Sequence, residues 1–134
     1  MIFFMARYEH IKIFQCAYLL TIEIYKTTGN FGREYKYTLG EKLKSGAHEL
    51  LDIIMTTNSK IDEEKNKYFQ QIDFKKEHLR IYLRIAFDLK VIGTGQLKVL
   101  NEKIEEIGMQ LGGWQKWTEK KTSPSISAGV SVGQ

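Results

Sequence analysis

The chain has 134 residues, 43% hydrophobic and 27% charged, with one proline and eleven glycines that follow no period. This is the make-up of a single globular domain, and it excludes wholesale disorder, collagen-like repeats and a loop-rich all-β fold. Twenty basic against sixteen acidic residues leave a net charge of +4, which favours an anionic partner without naming one.

The lone cysteine, Cys16, has no partner for an internal disulfide, which suits a reducing, cytoplasmic setting. No run of apolar residues is long enough to cross a membrane. The opening Met1-Ile2-Phe3-Phe4 is apolar but too short for a signal peptide, with Met5 as an alternative start.

Hydrophobic periodicity predicts four helices, over 8–28, 38–58, 72–92 and 95–117, within one domain of residues 1–117. In the first, Ile11, Phe14, Tyr18, Thr21 and Tyr25 form one row at helical spacing, and Ile13, Ala17, Leu20 and Ile24 form a second. Gly29 to Gly32 ends it, through the left-handed backbone that glycine accepts. Thr38-Leu39-Gly40-Glu41 reads as a capping box opening the second helix, whose seam is Leu39, Leu43, Ala47, Leu50 and Ile54. Gly40 and Gly46 weaken its interior unless a neighbouring helix packs closely there.

Residues 60–71, KIDEEKNKYFQQ, are polar and fit either a loop or an exposed lead-in to the third helix. In that helix Leu79, Tyr82, Leu83, Ala86 and Leu89 share one face, while Ile81, Ile85 and Ile92 fall on another. So wide an apolar surface exceeds what one core needs and points to a second chain. After Gly93-Thr94-Gly95, with Thr94 as the cap, the fourth helix has the most regular seam: Leu97, Leu100, Ile104, Ile107, Leu111 and Trp114. Residues 118–134, rich in Ser and Gly, read as a flexible tail. The fold class is therefore all-α, an antiparallel up-down four-helix bundle.

Catalytic and metal signatures are thin, and neither a cofactor nor a catalytic residue is assigned. His10, His48 and His78 lie in separate segments, and His48-Glu49 lacks the second histidine of a zinc helix because Asp52 stands there. Cys16 reads as a small buried hydrophobe. Glu102, Glu105 and Glu106 beside Lys103 read as a solvated face. Paired Glu-x-x-His motifs, which a di-iron bundle needs, are missing.

Two basic groups rise above this background. Lys76, Arg80 and Arg84 recur every four residues, with Lys75 beside them, in the most basic helix of the chain. A row of such donors can follow a phosphate backbone. A solvated face paired through Asp73 and Asp88 is the stronger alternative for these residues alone. Arg33 and Lys36, interleaved with Tyr35 and Tyr37, form the second group; such tyrosines can stack on bases or anchor the loop. The residues thus describe a basic bundle that is more a binding module than an enzyme.

Several stretches resemble one family. MARYEHIKIF at 5–14, YKYTLGEKL at 35–43, LRIYLRIAFDLKVIG at 79–93 and IEEIGMQLGGWQKW at 104–117 are similar to the accessory variability determinant (Avd) proteins of diversity-generating retroelements. The likeness covers about residues 6–117. A sister family, the four-helix bundle encoded in 23S ribosomal RNA intervening sequences, carries a small-residue SIPxNIAEG-like signature. Here AHELLDIIMTTNSK takes its place, so the Avd likeness is the closer; a structural role of the sister kind is the alternative. The resemblance implies a homopentameric barrel that binds template RNA or cDNA and the retroelement's reverse transcriptase, with no catalysis of its own. It places Arg80 and Arg84 at the family's contact positions, with Lys75 and Lys76 extending the row. The modest charge departs from more basic relatives.

Overall fold

The computed structural model describes residues 11–122. Helix α1 spans Lys12–Thr28, the single-turn α2 Arg33–Lys36 and α3 Leu39–Ser59. A 3₁₀ turn at Asp62–Glu64 leads into α4, Lys65–Asp88, and α5 runs Thr94–Thr122. There is no strand among the described residues. Short connections make successive long helices antiparallel. Helices α1 and α4 each pack against both α3 and α5, so they occupy diagonal corners of a four-helix bundle.

The seams read from spacing line the core except at two positions of the third, where Tyr82 is half-buried and Leu89 exposed, while Ile72, which spacing did not assign, joins it. Ile13, Ala17, Leu20 and Ile24 of α1 meet Leu43, Ala47, Leu50 and Ile54 of α3, Ile72, Leu79, Leu83 and Ala86 of α4, and Leu100, Ile104, Ile107 and Leu111 of α5. Burying one such leucine contributes roughly 2 kcal/mol. Leu97 and Trp114 close the α5 seam half-buried, and the Trp114 indole meets Phe69 edge-on at 5.1 Å. Of the other row in α1, Phe14 and Thr21 are buried, whereas Tyr18 and Tyr25 stand exposed. Gly46 lies under Leu79, which explains a glycine inside a helix.

Local endings differ from the reading of the sequence. Gly29 is right-handed (φ −60°, ψ −25°), so no left-handed glycine closes α1. No capping box forms at α3. Because α2 immediately precedes it, the Thr38 hydroxyl donates back to the Glu34 carbonyl (3.2 Å), and Glu41 pairs with Lys44 (3.0 Å). At α5 the return half of a box is made instead by Gln96, whose Oε1 accepts the Gly93 N–H (2.9 Å), and Thr94 is the first helical residue rather than the cap.

The polar stretch 60–71 is mostly helix. Phe69 inserts into the core, and Asp62 receives Lys65 (2.8 Å) and Lys121 (2.9 Å), tying the turn to α5. At its other end α4 stops at Asp88, not Ile92. Ile92 still reaches the core, but from the connection, which is why its periodicity resembled helix. Helix α5 continues to Thr122, beyond the tail boundary at 118, and Thr118 is buried. Residues 123–134, the helical start at 8–10, His10, Met5 and the MIFF segment lie outside the described residues.

Candidate nucleic-acid interface

The α4 row does not present itself as one stripe. Each step of four residues advances about 40° around a helix, so the row turns from the bundle towards solvent. Lys76 lies at the buried end, 8% exposed, with its Nζ beside Gly108 of α5. It donates to Glu77 (2.9 Å) and Asp73 (3.1 Å). Burial works to lower its pKa, but these hydrogen bonds outweigh it and hold the ammonium above the ordinary lysine range. Glu77 is correspondingly held low, first by Lys76.

Arg80 is half-buried and bridges Glu77 and Glu105, each at 3.2 Å, joining α4 to α5. Arg84, 68% exposed at its side chain, pairs with Asp88 (3.1 Å) and lies over the Phe87 ring. Lys75 reaches Glu49 of α3 (2.9 Å). Every member of the row therefore has a carboxylate within the chain. The structure separates buried Lys76 from the open Arg84.

The second group is placed differently. Arg33 is exposed and Lys36 half-buried on α2, and neither has an ion pair among the described residues. Tyr37 is 68% exposed, while Tyr35 packs on the core edge. Both tyrosines line a groove of about 810 Å³ between α3 and α4, together with Lys42, His78, Tyr82 and Leu89. The His78 ring lies between Phe74 (4.4 Å) and Tyr82 (6.3 Å). Lys42 and Lys90, exposed and without an ion pair, are cations the sequence reading did not single out. Lys90 lies in the LKVIG string, within the turn that ends α4.

The remaining candidates do not assemble into a reactive centre. His48 Nε2 meets the Tyr25 hydroxyl at 2.8 Å on the surface. Cys16 is half-buried, and burial, then Glu106, pushes its thiol pKa up. No group of three or more His, Cys, Asp or Glu able to hold a metal occurs among the described residues, and none of their helices is long and apolar enough to cross a membrane.

With this geometry in place, comparison with known proteins yields one family. A family model described as bAvd-like matches residues 12–118, in agreement with the resemblance carried by the YKYTLG and IGMQLGGW strings. No curated protein matches the chain.

Proposed function

The chain belongs to the bAvd-like family, and from that premise we propose that it is a non-enzymatic accessory protein of a diversity-generating retroelement. In this role it binds template RNA or RNA/DNA together with the retroelement's reverse transcriptase and supports mutagenic reverse transcription. The observation that carries this reading is the family match over almost the whole described bundle.

The electrostatics support it. Lysines and arginines outnumber acids, and the acidic partners of Lys75, Arg80 and Arg84 are surface carboxylates. Such pairs are worth about 0–1 kcal/mol and exchange readily for phosphate or a partner's acidic side chain. Arg80 and Arg84, with Lys75, are the α4 contacts in this reading; Lys76 acts from behind them by holding Glu77. Arg33 and Lys36 supply a second contact.

The assembly we propose is a homopentamer, as the resemblance implies. Tyr18, Leu19, Ile22 and Tyr25 on α1 are exposed, as are Phe74, Ile81 and Ile85 on the diagonally opposed α4. Two different apolar faces on opposite corners suit head-to-tail contacts, the kind that close into rings. Five chains of net +4 carry +20, a strong field for RNA. Residence in the cytoplasm follows from the same role.

Gentle purification of the tagged protein from its own host, with mass spectrometry and RNA sequencing of what accompanies it, tests the reading. Co-purification of a reverse transcriptase with one repeat-containing RNA is the expected result. Recovery of neither, while the retroelement is expressed, overturns it.

A further inference from the structure

Lys90 is the only non-glycine with positive φ among the described residues, at 63°. It closes α4. Its N–H donates to the Phe87 carbonyl (2.9 Å), and the Val91 N–H donates to the Ala86 carbonyl (2.8 Å). These are the paired bonds of a Schellman ending, in which the left-handed residue is usually glycine. A β-carbon there carries a conformational cost that glycine avoids. The position therefore holds a lysine against local preference.

Lys90 lines a small hollow with Phe87, Asp88 and Thr94, at the end of the bundle where α4 stops and α5 begins. Leu89, the preceding residue, lines the groove shared with Tyr35, Tyr37 and Lys42, so the end of α4 meets the α2–α3 entry at one end of the bundle. Arg33, Lys36, Lys42 and Lys90 are brought to that end with no ion pair among the described residues. Two acids of this end are already engaged, Glu41 by Lys44 and Asp88 by Arg84. Glu34, exposed in the same turn as Arg33, offsets one charge of the four. Tyr37 offers the most exposed aromatic side chain of the described residues.

We propose that this end of the bundle is a binding site for single-stranded nucleic acid. Arg33, Lys36, Lys42 and Lys90 contact phosphates, and Tyr37 stacks on a base. The inference rests on the nucleic-acid reading above and moves its centre away from the α4 row. A single strand fits because stacking on a side chain needs an unstacked base, which a duplex does not offer along its length.

The test uses the full chain and a fluorescein-labelled RNA of about 20 nucleotides, single-stranded or annealed to its complement, with anisotropy followed across a salt series. The variant Arg33→Gln/Lys36→Gln/Lys42→Gln/Lys90→Gly is expected to lose at least about tenfold in affinity. Its log–log salt slope should fall by about 2 to 3, because each lost single-strand phosphate contact removes about 0.7. Tyr37→Ala should weaken the single strand and spare the duplex. Lys90→Gly alone should lower affinity while raising Tm by about 3 °C, opposite signs that a purely structural lysine does not produce.

Wild-type binding retained by the quadruple variant, with its salt slope unchanged, overturns the placement and leaves the accessory role standing. So does loss confined to Arg80→Gln/Arg84→Gln. A wild-type preference for the duplex overturns the single-strand class. Absence of any salt-dependent RNA binding by the wild type sinks both this site and the nucleic-acid part of the reading it rests on.

Discussion

Leu79 of α4 packs onto Gly46 of α3 so closely that a β-carbon at position 46 would stand 2.8 Å from its Cδ2. Leu79 is fully buried, so that methyl has nowhere to turn. Gly46→Ala therefore sets a gain in helix propensity of about 1 kcal/mol against an overpacking cost of about 1–3 kcal/mol. The expected outcome is a net loss of about 1 kcal/mol by urea unfolding. In a Leu79→Ala background the same substitution should become stabilising. An unchanged sign in the double-mutant cycle would show that the helices do not meet at this pair.

Lys76 is held by Asp73 and Glu77, both of which remain in water at their outer sides. Removing its ammonium leaves no buried unpaired charge, so Lys76→Met should stay within about 1 kcal/mol of wild type. Lys76→Ala should cost about 2 kcal/mol, since it empties the space its stem fills beside Gly108. Equal losses in the two variants, measured by chemical denaturation, would mean that the charge and not the stem is what matters.

Asp62 links the 3₁₀ turn to both α4 and α5. Hydrogen bonds from Lys65 first, and then from Lys121, hold its carboxyl below the usual aspartate range. A depressed folded pKa stabilises the protein above the unfolded value. That contribution is lost as pH falls below about 4 through the folded pKa. Asp62→Asn should cost about 1 kcal/mol near neutrality and show a shallower decline of Tm below pH 4 than wild type. Parallel acid profiles would place the acid sensitivity elsewhere, with Glu77 as the next group to examine.

If head-to-tail contacts build the assembly, each contact uses α1 of one chain and α4 of the next. Leu19→Gln/Ile22→Gln and Ile81→Gln/Ile85→Gln change exposed positions, so each should leave the bundle within about 0.5 kcal/mol of wild type yet appear as monomer by light scattering. Mixed in equal amounts, the two variants retain one intact face each and should form dimers and nothing larger. Self-association of either variant alone argues against an α1-to-α4 contact.

The helices themselves were legible because a buried seam leaves a three-and-four spacing that few other structures produce. Leu39 to Ile54 in α3 and Leu100 to Leu111 in α5 announce both the helix and its inward face. The same rule misplaced the end of α4, since periodicity registers that Ile92 is buried, not whether it arrives there from a helix or from a turn. It was silent on 65–71, where Phe69 is the only large residue fully buried in a polar stretch.

The candidate site was legible in kind but not in arrangement. Basic residues beside tyrosines could be counted, and the family strings could be recognised, from the sequence by itself. Which cations remain free could not, because ion pairing joins residues distant in the chain: Arg80 finds Glu105 and Lys75 finds Glu49 only after the helices pack. Spacing alone treated Lys76, Arg80 and Arg84 as equals, whereas helix rotation buries the first and exposes the last. The left-handed lysine at position 90 follows from the sharp turn that returns the chain into α5. Hydrophobic spacing determined the helices and their inward faces; tertiary packing decided which charges face outward, through burial and neutralisation across helices.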